Sequence, residues 1–154
     1  MDLIAVTAAT PGDKADWLAM RVALWPEGSE DDHAADIESF DWSAAAPTCL
    51  IARDTNGTTL GFAEADLRHD YVNGCETSPA AFLEGIFVRP EARGTGVARA
   101  LVAAVEAWAR QQGCSELASD SEIGNTPAHA MHAALGFDET QRVVYFRKVL
   151  GDGV

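Results

Sequence analysis

A β-type stretch running into a glycine turn and then a helix constrains this chain more than any other feature. Phe82-Leu83-Glu84-Gly85-Ile86-Phe87-Val88 is apolar and β-prone, Pro90 ends it, and Arg93-Gly94-Thr95-Gly96-Val97-Ala98 follows. Beyond the turn, Val97, Leu101, Val105 and Trp108 recur at helical spacing, Ala98, Val102 and Ala109 widen the apolar face, and Gly113 stops the pattern. A strand, a glycine turn and a helix in this order can build a pyrophosphate site. Glycines let the backbone approach the ligand, and N–H groups at the helix start point at anionic oxygens. The same six residues also suit a plain tight connection between strand and helix.

The surrounding elements set this unit in a sheet. Residues 3–7 read as a first strand. Thr10-Pro11-Gly12-Asp13 starts a helix whose apolar face carries Leu18, Val22 and Trp25 at i, i+4 and i+7, and Pro26 stops it. Residues 27–32 form an acidic loop, with Asp31 or Asp32 capping a second helix that reaches about Phe40. Residues 48–54, 59–69 and 81–88 are three strands of an antiparallel meander, joined first by the hairpin signal Asn56-Gly57 and then by a turn over residues 70–74. A short strand over residues 115–119 and a helix over residues 126–135 follow, the helix with Asn125 as N-cap and Pro127 in its first turn. Residues 137–141 and 143–148 close the chain as two more strands. The order predicts one α/β domain over residues 1–154, a mixed and mostly antiparallel sheet with a central parallel strand pair and helices on both faces.

Charge narrows the partners. Lys plus Arg number 11 against 24 Asp plus Glu, a formal charge of −13. Such a chain lacks the basic face that nucleic-acid phosphates need, whereas an acidic cleft concentrates cations. Acidity that merely keeps the chain soluble is the plain alternative. Cys49, Cys75 and Cys114 are scattered and odd in number, which suits a reduced cytoplasmic protein better than a disulfide framework or a zinc ribbon. The start Met1-Asp2-Leu3 lacks a basic segment followed by an apolar one, and no apolar run reaches membrane-spanning length, so neither secretion nor a membrane is expected.

Arg93-x-x-Gly96-x-Ala98 after an Ile-Phe-Val strand, then Asn125-x-x-Ala128 and Leu135-Gly136-Phe137, resembles the GNAT superfamily of acyl-CoA-dependent N-acetyltransferases. The resemblance implies that backbone N–H groups of Gly94, Thr95, Gly96, Val97, Ala98 and Arg99 hold the CoA pyrophosphate, and that the strand Ile86, Phe87, Val88 takes the pantetheine arm. It further implies that the Val88 N–H polarises the thioester carbonyl and that Asn125 bonds the CoA chain. Leu24-Trp25-Pro26, Arg68-His69-Asp70-Tyr71-Val72-Asn73-Gly74-Cys75, Ala118-Ser119-Asp120 and the ending Arg142-Val143-x-x-Phe146-Arg147-Lys148 are similar, more narrowly, to the aminoglycoside 6'-N-acetyltransferases. That family implies acetyl-CoA as donor, an aminoglycoside 6'-amine as acceptor, antibiotic resistance as the outcome, and a cytoplasmic homodimer. By position, Trp25, Tyr71, Glu84 and Asp120 would contact the antibiotic. Gln141 stands where the similar enzymes carry an acid, which would loosen the grip on one ammonium group.

A protonated polyamine has no lone pair on nitrogen. The site must hold the cation, remove a proton and align the nitrogen with the thioester carbon. Strand alternation places Glu84 on the face of Ile86 and Val88, and Asp120 ends the neighbouring parallel strand, where such sheets build their sites. One of these two carboxylates holds the amine, and one accepts its proton directly or through water. A solvated strand acid and a turn acid are the plain alternatives. Trp25 reads either as a core residue at a helix end or as a wall of the pocket, and Tyr71 either as a turn residue or as a ring laid over the sugar. Many GNAT members carry a tyrosine four residues before the helix-ending glycine, as the acid for the leaving thiolate. Here His132 stands there, and the acid is unassigned. His129 and His132 lie at i, i+3, but no second pair at a metal-site spacing accompanies them, so no metal is expected. No cysteine has the setting of a nucleophile, which favours direct transfer over an acetyl-enzyme. A GNAT acting on a polyamine, another small amine or a protein N-terminus is the enzyme alternative, and an acyl-CoA-binding module without activity is the other.

Overall fold

A computed structural model of the chain describes residues 3–153. The structure divides into two compact units at Asp120/Ser121. The first holds β1 (Ala5–Ala8), α1 (Lys14–Leu24), α2 (Glu30–Glu38), β2 (Thr48–Arg53), β3 (Thr59–Arg68), β4 (Ala80–Val88), α3 (Val97–Gln111) and β5 (Leu117–Ser119). Its sheet runs β1-β2-β3-β4-β5, antiparallel until the last pair, β4 and β5, which is parallel.

Alternation along the strands sorts residues to two faces. Cys49, Ile51 and Phe62 turn toward α1 and α2 and form a core with Trp17, Met20 and Ile37. Gly61 faces the other way, where a Cβ would touch Leu101 of α3 and overlap the Phe87 carbonyl. Here α3 buries Val97, Leu101, Val102, Val105 and Trp108, which is the apolar stripe expected from its spacing. The cap of α2 is Ser29, whose hydroxyl accepts the Asp32 N–H at 3.0 Å. Glu30, Asp31 and Asp32, expected in the acidic loop, instead make the first turn of α2, where negative charge complements the helix dipole.

Asp13 locks the entry to α1. Its Oδ2 accepts the Thr10 N–H at 2.8 Å and its Oδ1 accepts from Arg53 Nη2 at 2.7 Å. Burial alone would raise the Asp13 pKa, but these bonds outweigh it and hold the carboxyl below its ordinary value. A depressed acid pKa is stability present above the unfolded value, near about 4, and lost as pH falls through the lower folded value. Asp13→Asn is therefore expected to cost about 1–2 kcal/mol at neutral pH. Urea titrations should show that difference shrinking below about pH 4.

The second unit holds α4 (Thr126–Ala134). Asn125 caps it as expected, its side chain accepting the Ala128 N–H at 3.3 Å, and Gly136 ends it with φ at 91°. The two strands expected over residues 137–141 and 143–148 are not formed. Their β-prone composition is real, but a strand exists only against a ladder partner, and no strand pairs with these residues among those described. In consequence Val144, Tyr145, Phe146, Val149 and Leu150 are exposed, Phe146 to 92%. The parallel pair expected at the sheet's centre accordingly stands at its end.

Candidate active site

The site lies where β5 ends alongside β4. β4 and β5 pair through Ala81–Leu117, Phe82–Ala118 and Leu83–Ser119, so among the described residues the run from Glu84 to Val88 has no strand on its β5 side. Where that pairing ends, Glu84 within β4 and Asp120 just past β5 each follow one member of the last register pair, Leu83–Ser119.

The orientation of Glu84 differs from the one expected by alternation. β3 pairs Glu64 with Gly85 but Ala65 with Leu83, so Glu84 is the extra residue of a β-bulge. A bulge bends the strand and re-aims a side chain. Glu84 thus leaves the face of Ile86 and Val88 and pairs with Arg68, whose guanidinium carbon lies 4.2 Å from the centroid of the Phe82 ring. Asp66 and Asp120 act on the same guanidinium. The Glu84 hydrogen bond first, then the charges of Glu84, Asp66 and Asp120, raise the Arg68 pKa. The structure therefore pairs Glu84 with Arg68 and sets Asp120 one residue past Ser119, the register partner of Leu83.

Gly85 forms the floor for Trp25. A Cβ at Gly85 would overlap the Trp25 ring and press on Leu24. Trp25 ends α1, half-buried, with one edge toward Phe62 and its face stacked at 6.3 Å on the buried His33. His33 Nε2 donates to the Trp25 carbonyl at 2.9 Å and Nδ1 accepts from Arg21 Nε at 3.4 Å, an arrangement that fixes the Nε2–H tautomer. Arg21 also lies 5.1 Å from the Trp25 ring centroid. Trp25 is thus packed from below and fixed in position.

Behind it stands a buried ion pair that the sequence reading did not single out. Glu64 accepts from Arg21 Nη1 at 2.9 Å and from Trp17 Nε1 at 2.9 Å, and Arg21 Nη2 reaches Asp36 at 2.9 Å. Burial pushes the Glu64 pKa up, against the pull of Arg21. The available signal was an acid two residues from Phe62, on its face of β3, where burial requires a cation partner. A cavity of about 270 Å³ lies here, lined by Trp17, Arg21, Asp36, Phe40, Asp41 and Glu64, none of them a residue expected at the site.

Tyr71 stands on the connection between β3 and β4, 75% exposed. Glu116, just before β5, anchors that connection by accepting the Glu76 N–H at 2.9 Å and the Thr77 N–H at 2.7 Å. At the other end of β4, Gly94 and Gly96 have φ of 78° and 93°, where a side chain would be strained. A Cβ at either would meet nothing within 4 Å. The glycines are thus required by backbone conformation, and the ground in front of the turn is open. Arg93 Nε donates to the Val88 carbonyl at 3.0 Å and the Thr95 hydroxyl to the Ala92 carbonyl at 2.6 Å, tying the turn to the strand end. Val97 is buried, so its N–H rather than its side chain is what it can offer a ligand. Rigid open glycines beside a helix start fit a pyrophosphate.

In the second unit, Asn125 is committed to its cap, Gln141 is exposed, and His132 Nδ1 donates to the Ala128 carbonyl at 2.7 Å.

Residues 15–137 match the family model described as Acetyltransferase (GNAT) family. The chain is 55% identical over 137 residues to an aminoglycoside N(6')-acetyltransferase type 1 of Serratia marcescens, covering 88% of this chain and 92% of that one. Among solved structures, the aminoglycoside 6'-N-acetyltransferase AAC(6')-Ih from Acinetobacter baumannii superposes with a TM-score of 0.90 at 45% identity, covering 97% of this chain and 100% of that one. AAC(6')-Iy, solved with the bisubstrate analogue CoA-S-monomethyl-acetylneamine, gives 0.89 at 43% identity, covering 96% and 99%. The open glycine turn, the free edge of β4 beyond β5 and these matches agree: the chain belongs to the GNAT acetyltransferase family and, within it, to the aminoglycoside 6'-N-acetyltransferases.

Proposed function

We propose that this protein transfers the acetyl group of acetyl-CoA to the 6'-amine of an aminoglycoside, by direct attack within a ternary complex, and so confers antibiotic resistance. Glu84 and Asp120, each one residue beyond the last paired positions of β4 and β5, carry this reading. They hold the acceptor ammonium, and one of them takes its proton, directly or through water. The freed nitrogen forms its bond to the thioester carbon, the carbon–sulfur bond breaks, and the thiolate leaves with CoA. Trp25, held on Gly85, and Tyr71, on its anchored connection, are the ring walls for the sugar, and Gln141 is a neutral contact. The main chain of Ile86, Phe87 and Val88 is the free edge of β4 for the pantetheine arm. The residues from Gly94 to Arg99 cradle the pyrophosphate, and Asn125 serves the CoA chain beside its cap.

Direct attack is supported by the cysteines. Burial pushes the Cys49 thiol far up, and burial followed by the Glu116 charge raises Cys75, so neither is a ready thiolate.

The match of one family model across residues 15–137 supports reading both units as a single domain. The exposed run Val144-Tyr145-Phe146 supports a homodimer that covers it. Three free cysteines, and the lack among the described residues of a helix long and apolar enough to cross a membrane, accord with a cytoplasmic protein.

The test is release of CoA thiol from acetyl-CoA with kanamycin or tobramycin, beside aminoglycosides lacking a free 6'-amine. Release only with a free 6'-amine is expected. Release on polyamines or peptide N-termini alone would assign another acceptor, and CoA binding without release on any amine would leave a binding module. Sedimentation of the same preparation should give twice the chain mass.

A further inference from the structure

We propose that Arg68 is a resident cation of the acceptor site, holding in the free protein the carboxylate and aromatic face that the acceptor's ammonium takes over on binding. The inference rests on the reading that Glu84 and Asp120 hold the amine.

A site for an ammonium on a sugar ring needs a carboxylate, a flat apolar face and further negative charge nearby. The guanidinium of Arg68 already has all three. It pairs with Glu84, lies 4.2 Å from the Phe82 ring centroid, and feels the charges of Asp66 and Asp120. Asp66, the register partner of Phe82, and Asp120, one residue past Ser119, add negative charge beside the Arg68–Glu84 pair, so the locus takes further positive charge.

Arg21 and Arg68, each paired with an acid of β3 or β4, differ in freedom. Arg21 has an 11% exposed side chain, is bonded to Glu64, Asp36 and His33, and supports the core. The Arg68 side chain is 45% exposed and stands at the very end of β3, opposite Ala80. It can swing into solvent without opening the core. Its departure would free one oxygen of Glu84 and one face of Phe82 together. Arg68 thereby sets specificity. A single weak amine competes poorly with a tethered guanidinium, whereas a polycation engaging several acids at once displaces it.

The experiment is calorimetric binding of kanamycin, with spermidine as a second polycation, to wild type, Arg68→Gln, Arg68→Met and Arg68→Lys. Loss of an exposed ion pair and an exposed cation–π contact sets the size of the effect. Arg68→Gln and Arg68→Met should bind kanamycin about three- to tenfold more tightly at low salt, with CoA affinity unchanged, and the gain should shrink at high salt. Arg68→Met keeps an apolar stem on Phe82, so it reports even where Arg68→Gln fails to fold. Arg68→Lys keeps the charge and should stay within about twofold of wild type. Unchanged or weaker kanamycin binding in both neutral variants overturns the proposal, as does tightening in Arg68→Lys equal to that in Arg68→Gln. Binding is read without turnover. A protein that acetylates no aminoglycoside yet shows the tightening would overturn the proposed function and keep the resident cation, and failure of every form to bind either polycation overturns both.

Discussion

Replacing Glu84 or Asp120 by Ala is expected to lower turnover on an aminoglycoside at least tenfold and to leave CoA affinity nearly intact. A positioned general base contributes about 10²- to 10⁴-fold, and the holding of the ammonium adds to it. Neither carboxylate lies in the glycine turn, so the donor should bind as before. Glu84→Gln and Asp120→Asn sharpen the result, because they keep shape and remove charge. The one whose kcat falls more at unchanged acceptor KM is the proton acceptor, and the one that mainly raises acceptor KM is the holder. Glu84→Gln should also be measured with Arg68→Gln, since the single change strands the guanidinium. Unchanged turnover in both Ala variants would remove both residues from the mechanism.

Gly85→Ala is expected to have the next largest effect, through Trp25. The added methyl would overlap the indole and press on Leu24, while His33 and Arg21 hold the ring from the other side. Overpacking of this kind costs about 1–3 kcal/mol. The ring must tilt away from β4, so acceptor KM should rise about tenfold while CoA KM stays within about twofold. Urea unfolding and steady-state kinetics measure the two parts. Trp25→Phe combined with Gly85→Ala should recover part of the lost stability, because a smaller ring relieves the overlap. A strictly additive double variant would show that the two positions do not touch.

Much of the fold was legible because local signals agreed with each other. The Val97, Leu101, Val105 and Trp108 stripe reads as a helix and is one. Asn125 reads as a cap and is one, and Asn56-Gly57 reads as a hairpin and joins β2 to β3. The cap of α2 was missed because Ser29 competes with a run of acids for the same role. The closing strands, expected over residues 137–141 and 143–148, failed to form for a different reason. Residues 143–148 have the composition of a strand, but pairing is a long-range fact, and no ladder partner is supplied among the described residues.

The glycine turn between strand and helix was readable from residue order alone, and the proposal of Trp25, Tyr71, Glu84 and Asp120 for the site came from residue order and family pattern. That is because chemistry and family pattern live in residue type and spacing. Geometry around them was not. The bulge at Glu84 arises from the pairing of β4 with β3, fifteen and more residues away, and one skipped residue turns the carboxylate to the other face. The placing of Arg68 over Phe82, the seat of Trp25 on Gly85 and the burial of Glu64 against Arg21 are likewise contacts between distant segments. Sequence determined which groups this protein can use. Only packing across the sheet decided which way they point and which cation they hold first.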